Sequence, residues 1–213
     1  MHELYRRRLP HIMPPGETLF ITYRLHGTIP VEVLLRLKEE HESFLAEQVE
    51  GNPDFLEKDL RKKWETRYFL SLDALIDRAT EGSCWLADLL IARIVEESIH
   101  YRDAKQFDLH AYCVMPNHVH VLLTNTSQDT PFYRVLGSMK ANSAKAINEH
   151  LNQIGQSVWA SESYDHVVRN EKSFDRVIRY ILNNPVKAGL VERWQDWPHS
   201  YCQQGKAGGN PLW

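Results

Sequence analysis

Two pairs of residues in this chain combine side-chain types and spacings that could carry chemistry. His118 and His120 stand two apart in the string HVHVLLT. Side chains at i and i+2 of a strand share a face, so both imidazoles can reach one divalent cation while Val119 points away. The competing reading is a pair of histidines that merely hydrogen-bond within a sheet, and an isolated HxH favours it. The apolar Val121, Leu122 and Leu123 that follow shift the balance, because polar groups on an apolar strand are costly to bury without partners. Imidazole suits transition metals, whereas oxygen ligands and water suit Mg2+ and Mn2+.

The second pair is Tyr180 and Asn184, within YILNNP. At i and i+4 of a helix they share a face. A tyrosine can act as a covalent nucleophile when activated, and the amide oxygen of Asn184 could supply a third metal ligand beside it. By spacing alone, a tyrosine at the core boundary and an asparagine loosening a helix end is the simpler reading.

The elements that must position these residues are legible around them. Residues 18–25 (TLFITYRL) follow Pro14-Pro15-Gly16 and read as a strand after a turn. Helical patterning covers 31–49, 56–67, 72–80 and 85–102, broken at Gly51-Asn52-Pro53 and Gly82-Ser83. That block has no clustered histidines and no paired carboxylates with an evident role, and reads as structural helix. Residues 107–115 and 118–124 read as two strands joined at Pro116-Asn117, an antiparallel hairpin. Residues 131–151 form a helix, 165–169 a short strand, and Asn170 caps a helix over 171–188 that Gly189 ends. Pro185 should bend or loosen its last turn. The fold class is therefore α+β: a ferredoxin-like antiparallel sheet with helices on one face and an enlarged helical first crossover. The expected organisation is a single domain over 1–213, with a helical insertion at about 31–102 and a loosely held C-terminal tail at about 199–213.

Bulk properties exclude several classes. The 213 residues are 43% hydrophobic and 25% charged, ordinary for a soluble globular protein. No apolar run is long enough for a membrane helix, and the arginines near the N-terminus are not followed by the apolar stretch of a secretory signal. Three dispersed cysteines with no CxxC pair argue against a disulfide framework and a cysteine zinc site. The expected location is cytoplasmic. Net charge is −3, yet residues 131–213 carry ten Lys/Arg against seven Asp/Glu. A basic face there could steer a polyanion, although a mixed solvated surface accounts for the same count.

The strings AYCVMPNHVHVLL and ESYDHVVRNEKSFDRVIRYILNNPVKAGLV, in this order, together with RRRLPH and PPGETLFITYRLHGTIP near the N-terminus, resemble the REP-associated tyrosine transposases of the single-tyrosine HUH transposase superfamily. The resemblance implies cleavage and rejoining of single-stranded DNA, a divalent metal (Mg2+ or Mn2+), and a 5′-phosphotyrosine intermediate that makes ATP unnecessary. Carried over by motif, His118 and His120 are metal ligands, Tyr180 is the nucleophile, and Asn184 completes the metal site. It suggests a hairpin-forming DNA target; a monomer and a homodimer are both compatible, and no membrane is implicated. Lys140, Lys145, Arg169, Arg179 and Lys187 are candidate phosphate contacts. Tyr164, His166 and Trp159 are candidates for stacking on bases, and Tyr164 and His166 alternatively for supporting the metal site. Rival readings are a domesticated, non-catalytic single-strand binder, a metal-dependent nuclease that uses water, and a structural protein without a site.

Overall fold

The computed structural model describes residues 13–51, 57–78 and 83–203. Five strands form one antiparallel sheet in the order β4-β1-β3-β2-β5. They are β1 (Thr18–Leu25), β2 (Phe107–Val114), β3 (His118–Asn125), β4 (Trp159–Val168) and β5 (Ser200–Cys202). The first four keep the ferredoxin-like order expected from the sequence. The helices are α1 (Val31–Gly51), α2 (Glu57–Arg78), α3 (Leu89–His100), α4 (Phe132–His150) and α5 (Glu171–Lys187). The first crossover carries α1, α2 and α3, the enlargement anticipated between β1 and β2.

Strand alternation sorts the core into two layers. On β3, Val119, Val121 and Leu123 face one side, where Ile91, Val95 and Ile99 of α3 and Val135, Met139 and Ile147 of α4 cover them. Leu122 faces the other side with Phe20 of β1 and Ala111 and Cys113 of β2, under Ile178, Ile181 and Leu182 of α5 and Phe69 of α2. α3 of the first crossover and α4 of the second thus share one face, as a ferredoxin-like sheet requires. In addition, α5 and the C-terminal half of α2 lie against the opposite face, which is where His118 and His120 point.

Several elements differ from their sequence patterns. α2 is one helix rather than two: residues 67–72 hold no breaker, and the helix continues to Arg78. Residues 85–102 divide into a 3-10 turn over Trp85–Ala87 and α3, because Asp88 caps α3 by accepting from the Leu90 and Ile91 amides. β4 begins at Trp159, well before the expected short strand, and pairs along β1. The segment beginning at 199, expected as a loose tail, opens with β5, which pairs with β2 through Tyr112↔Tyr201 and stacks those two rings; residues 204–213 lie outside the described residues. α5 runs through Pro185 to Lys187, and Gly189 follows it with a φ of +70°. Asn170 caps this helix as expected, accepting from the Ser173 amide at 2.8 Å. No helix among the described residues is long and apolar enough to cross a membrane.

Candidate active site

The hairpin register builds the site. His120 pairs with Thr22 on β1 and with Cys113 on β2, so it sits mid-sheet with no exposed surface, and His118 beside it is only 1% exposed. Thr22 Oγ1 is 2.7 Å from His120 Nδ1. Asn117, the residue that turns the hairpin, accepts from His118 Nδ1 at 2.7 Å and donates to the Ile76 carbonyl of α2 at 3.0 Å. These contacts aim the Nε2 atoms of both rings at one point, 3.0 Å apart.

α5 brings the second pair. Asn184 is 1% exposed, and its Nδ2 lies 3.1 Å from His120 Nε2. Tyr180, one turn earlier, packs edge-on against His120 with ring centroids 5.4 Å apart. All four residues singled out by sequence spacing therefore meet in one cluster. Lys187, another turn along α5, reaches the same place; Arg179 instead lies exposed over the Asp175 carbonyl.

α2 adds a residue that the sequence reading missed. Asp73, 2% exposed, accepts a hydrogen bond from the Tyr180 hydroxyl through Oδ2, while its Oδ1 lies 3.4 Å from His120 Nε2. Lys187 Nζ is 2.7 Å from Asp77 Oδ2 and 3.7 Å from Asp73 Oδ2. The segment read as structural helix thus supplies two carboxylates. One signal was available: Phe69, Asp73 and Ile76 recur at helical spacing, which puts a carboxylate within an apolar stripe.

The donor set fits a divalent cation. His118 donates from Nδ1 to Asn117 Oδ1, leaving a lone pair on Nε2. His118 Nε2, Asn184 Nδ2 and Asp73 Oδ1 lie 3.0, 3.1 and 3.4 Å from His120 Nε2. The two Nε2 atoms, 3.0 Å apart, are close enough for one cation to take both rings as ligands. Asp73 Oδ1 and Asn184 Oδ1 are both buried and without hydrogen-bond partners. Asp73, His118 and His120 each direct a ligand atom into this space.

Burial sets the protonation states. It pushes His120 down to about 3, with the Lys187 charge adding to the effect. It also holds His118 well below the ordinary histidine range. Both rings are neutral at pH 7, the ligand form. Burial raises Asp73, against the hydrogen bond from Tyr180 and the charge of Lys187. Tyr180 is raised by burial first and then by the charge and hydrogen bond of Asp73, which hold the phenol protonated.

The remaining candidates spread over the molecule. Tyr164 stacks on Phe69 at 4.2 Å between centroids, at the margin of the site. His166 lies opposite Phe20 on β4, half-buried. Arg169 is exposed just after β4. Lys140 and Lys145 are on α4, across the sheet; Lys140 donates to Ala160 O and Ser163 Oγ, and Lys145 is an exposed partner of Glu149. Trp159 is core, its indole donating to Ser143 Oγ.

The sequence profile of the IS200-like transposase family matches residues 87–184. That stretch contains His118, His120, Tyr180 and Asn184 but neither α1 nor α2. A REP-associated tyrosine transposase of Escherichia coli K12 is 29% identical, over 49% of this chain and 60% of its own length. A Haemophilus influenzae relative assigned to the same group is 27% identical, over 49% of this chain and 69% of its own length. The solved structure of a REP-associated tyrosine transposase bound to a REP hairpin superposes with a TM-score of 0.55, covering 94% of this chain and 82% of that one. At 20% identity this last likeness establishes the shared fold.

Proposed function

We propose that this chain, a relative of the REP-associated tyrosine transposases with an IS200-like transposase core, cuts and rejoins single-stranded DNA through Tyr180. The observation that carries the reading is the convergence of His118, His120 and Asn184 on one buried point beside the Tyr180 hydroxyl. Nothing in a purely structural core requires two buried imidazoles, a buried amide and a phenol to meet there.

His118, His120 and Asn184 would hold the cation, Mg2+ or Mn2+. When bound it supplies Lewis-acid polarisation of the scissile phosphate and orients it. Asn117 would lock the His118 ring in the ligand tautomer, and Thr22 would hold the orientation of the His120 ring. Tyr180 Oη attacks phosphorus; the Oη–P bond forms and the bond from phosphorus to the 3′ oxygen breaks. The phenol gives up its proton as it attacks and the leaving 3′ oxygen takes one up, so the step is proton-neutral. A 5′-phosphotyrosine and a free 3′-OH result. A 3′-OH from another strand reverses the reaction, joins the strands and regenerates Tyr180. The phosphodiester energy is stored in the covalent link. Hairpin-forming DNA is the expected target class, because the structurally similar REP-associated tyrosine transposase was solved bound to a REP hairpin.

The test is incubation with a labelled single-stranded hairpin oligonucleotide and Mn2+, followed by a denaturing gel. A protein–DNA adduct that disappears with EDTA and with Tyr180→Phe is the expected result. Cleavage without an adduct would replace this reading with a water-using nuclease, and binding without cleavage would replace it with a DNA-binding module.

A further inference from the structure

The site just described is closed. His120, His118, Asn184 and Asp73 are 0%, 1%, 1% and 2% exposed, so a DNA backbone cannot reach the imidazoles while α2 is in place. The element that closes it lies outside the stretch matched by the transposase family. Among the described residues, several of its contacts are specific. Phe69 stacks on Tyr164 and meets Phe20 edge-on at 5.5 Å. The Ile76 carbonyl accepts from Asn117. Asp77 and Asp73 hold Lys187.

Asp73 has a particular place within this closure. One carboxylate oxygen lies 3.4 Å from His120 Nε2 and the other accepts from the Tyr180 hydroxyl. A scissile phosphodiester must do the same two things: present an oxygen at the metal-ligand cluster and bring its phosphorus to Tyr180 Oη. Carboxylate and phosphate are both anions, and they cannot share the position. Resting on the transposase reading above, we infer that α2 is a built-in cap whose Asp73 carboxylate stands in for the scissile phosphate and must be displaced before DNA is cut. Lys187 is its latch. When α2 leaves, the ammonium exchanges Asp77 and Asp73 for DNA phosphates, and so favours the open form only when a polyanion is present.

The experiment uses the full chain, wild type alongside Asp73→Ala and Asp77→Asn. The second variant loosens the latch without touching the Tyr180 hydroxyl or the imidazoles. Carbethoxylation of His118 and His120 by diethyl pyrocarbonate is mapped by mass spectrometry without DNA, with exposed His26 and His150 as internal references. Adduct formation with the hairpin oligonucleotide and Mn2+ is timed in parallel. Removing a hydrogen bond to a charged group should open the cap about tenfold more often. Both variants are therefore expected to label the two histidines, and to form the adduct, about tenfold faster than wild type. Unchanged labelling overturns the cap. Faster labelling with slower adduct formation also overturns the inference, because Asp73 would then be a working part of the reaction. Faster labelling with no adduct from any protein supports the cap and overturns the transposase reading, which separates the two claims.

Discussion

Asn117→Ala should damage stability and metal affinity together. The side chain accepts from His118 Nδ1 at 2.7 Å and donates to the Ile76 carbonyl at 3.0 Å, and the residue is 6% exposed. Alanine removes both partners and leaves a buried ring N–H and a buried carbonyl unpaired. Each orphaned group costs about 1–3 kcal/mol, so the loss from the two should be about 2–6 kcal/mol, a large part of the stability of a small domain. The His118 ring also loses the contact that fixes its tautomer, which should weaken metal binding about 10–100-fold. Urea unfolding gives the first quantity and calorimetric titration with Mn2+ the second. A variant within about 0.5 kcal/mol of wild type, binding Mn2+ with unchanged affinity, would refute the argument that Asn117 organises the site.

Two further predictions concern buried titratable groups. In the metal-free protein, His120 is held neutral down to about 3 in the folded state, whereas the unfolded chain protonates near the ordinary value of about 6.5. The unfolded state therefore binds more protons between those values, and stability should fall as pH drops from about 6.5 towards about 3. Asp73, raised by burial, works in the opposite sense as pH falls through its own titration. His120→Gln should flatten the decline above the carboxylate range, read by urea midpoints across pH; an unaltered slope would contradict the assignment of His120 as a buried neutral ring. The Cys113 thiol is pushed up to about 12 by burial, against the hydrogen bond from Ser200. Exposed Cys84 should react with a thiol reagent in the native protein, and Cys113 only after denaturant is added; prompt reaction of both would show that the sheet face under α5 opens readily.

The hairpin and α5 were legible because their signals are local. Alternation places His118 and His120 on one face, Pro116-Asn117 marks the turn, and Asn170 and Gly189 bracket the last helix. The resemblance then suggested the roles proposed for those positions. What escaped depends on tertiary contact. Asp73 lies in a charge-rich helix where its place in the Phe69–Ile76 stripe is only a weak signal, and its importance comes from docking against α5 and β3. The early part of β4 alternates weakly because Ser161 and Glu162 are exposed on an edge strand. The three residues of β5 are too few to show a period, and their conformation is imposed by pairing with β2 and by the Tyr112–Tyr201 stack.

The most direct test of the account is to locate the covalent link. After incubation with Mn2+ and a short single-stranded hairpin oligonucleotide, nuclease and trypsin digestion should release the peptide spanning residues 180–187, bounded by Arg179 and Lys187, carrying a nucleotide through its 5′ phosphate on Tyr180. That mass, absent from samples treated with EDTA, is the predicted result. A nucleotide on Tyr164, or cleaved DNA with every tyrosine unmodified, would contradict the assignment of Tyr180 as the nucleophile.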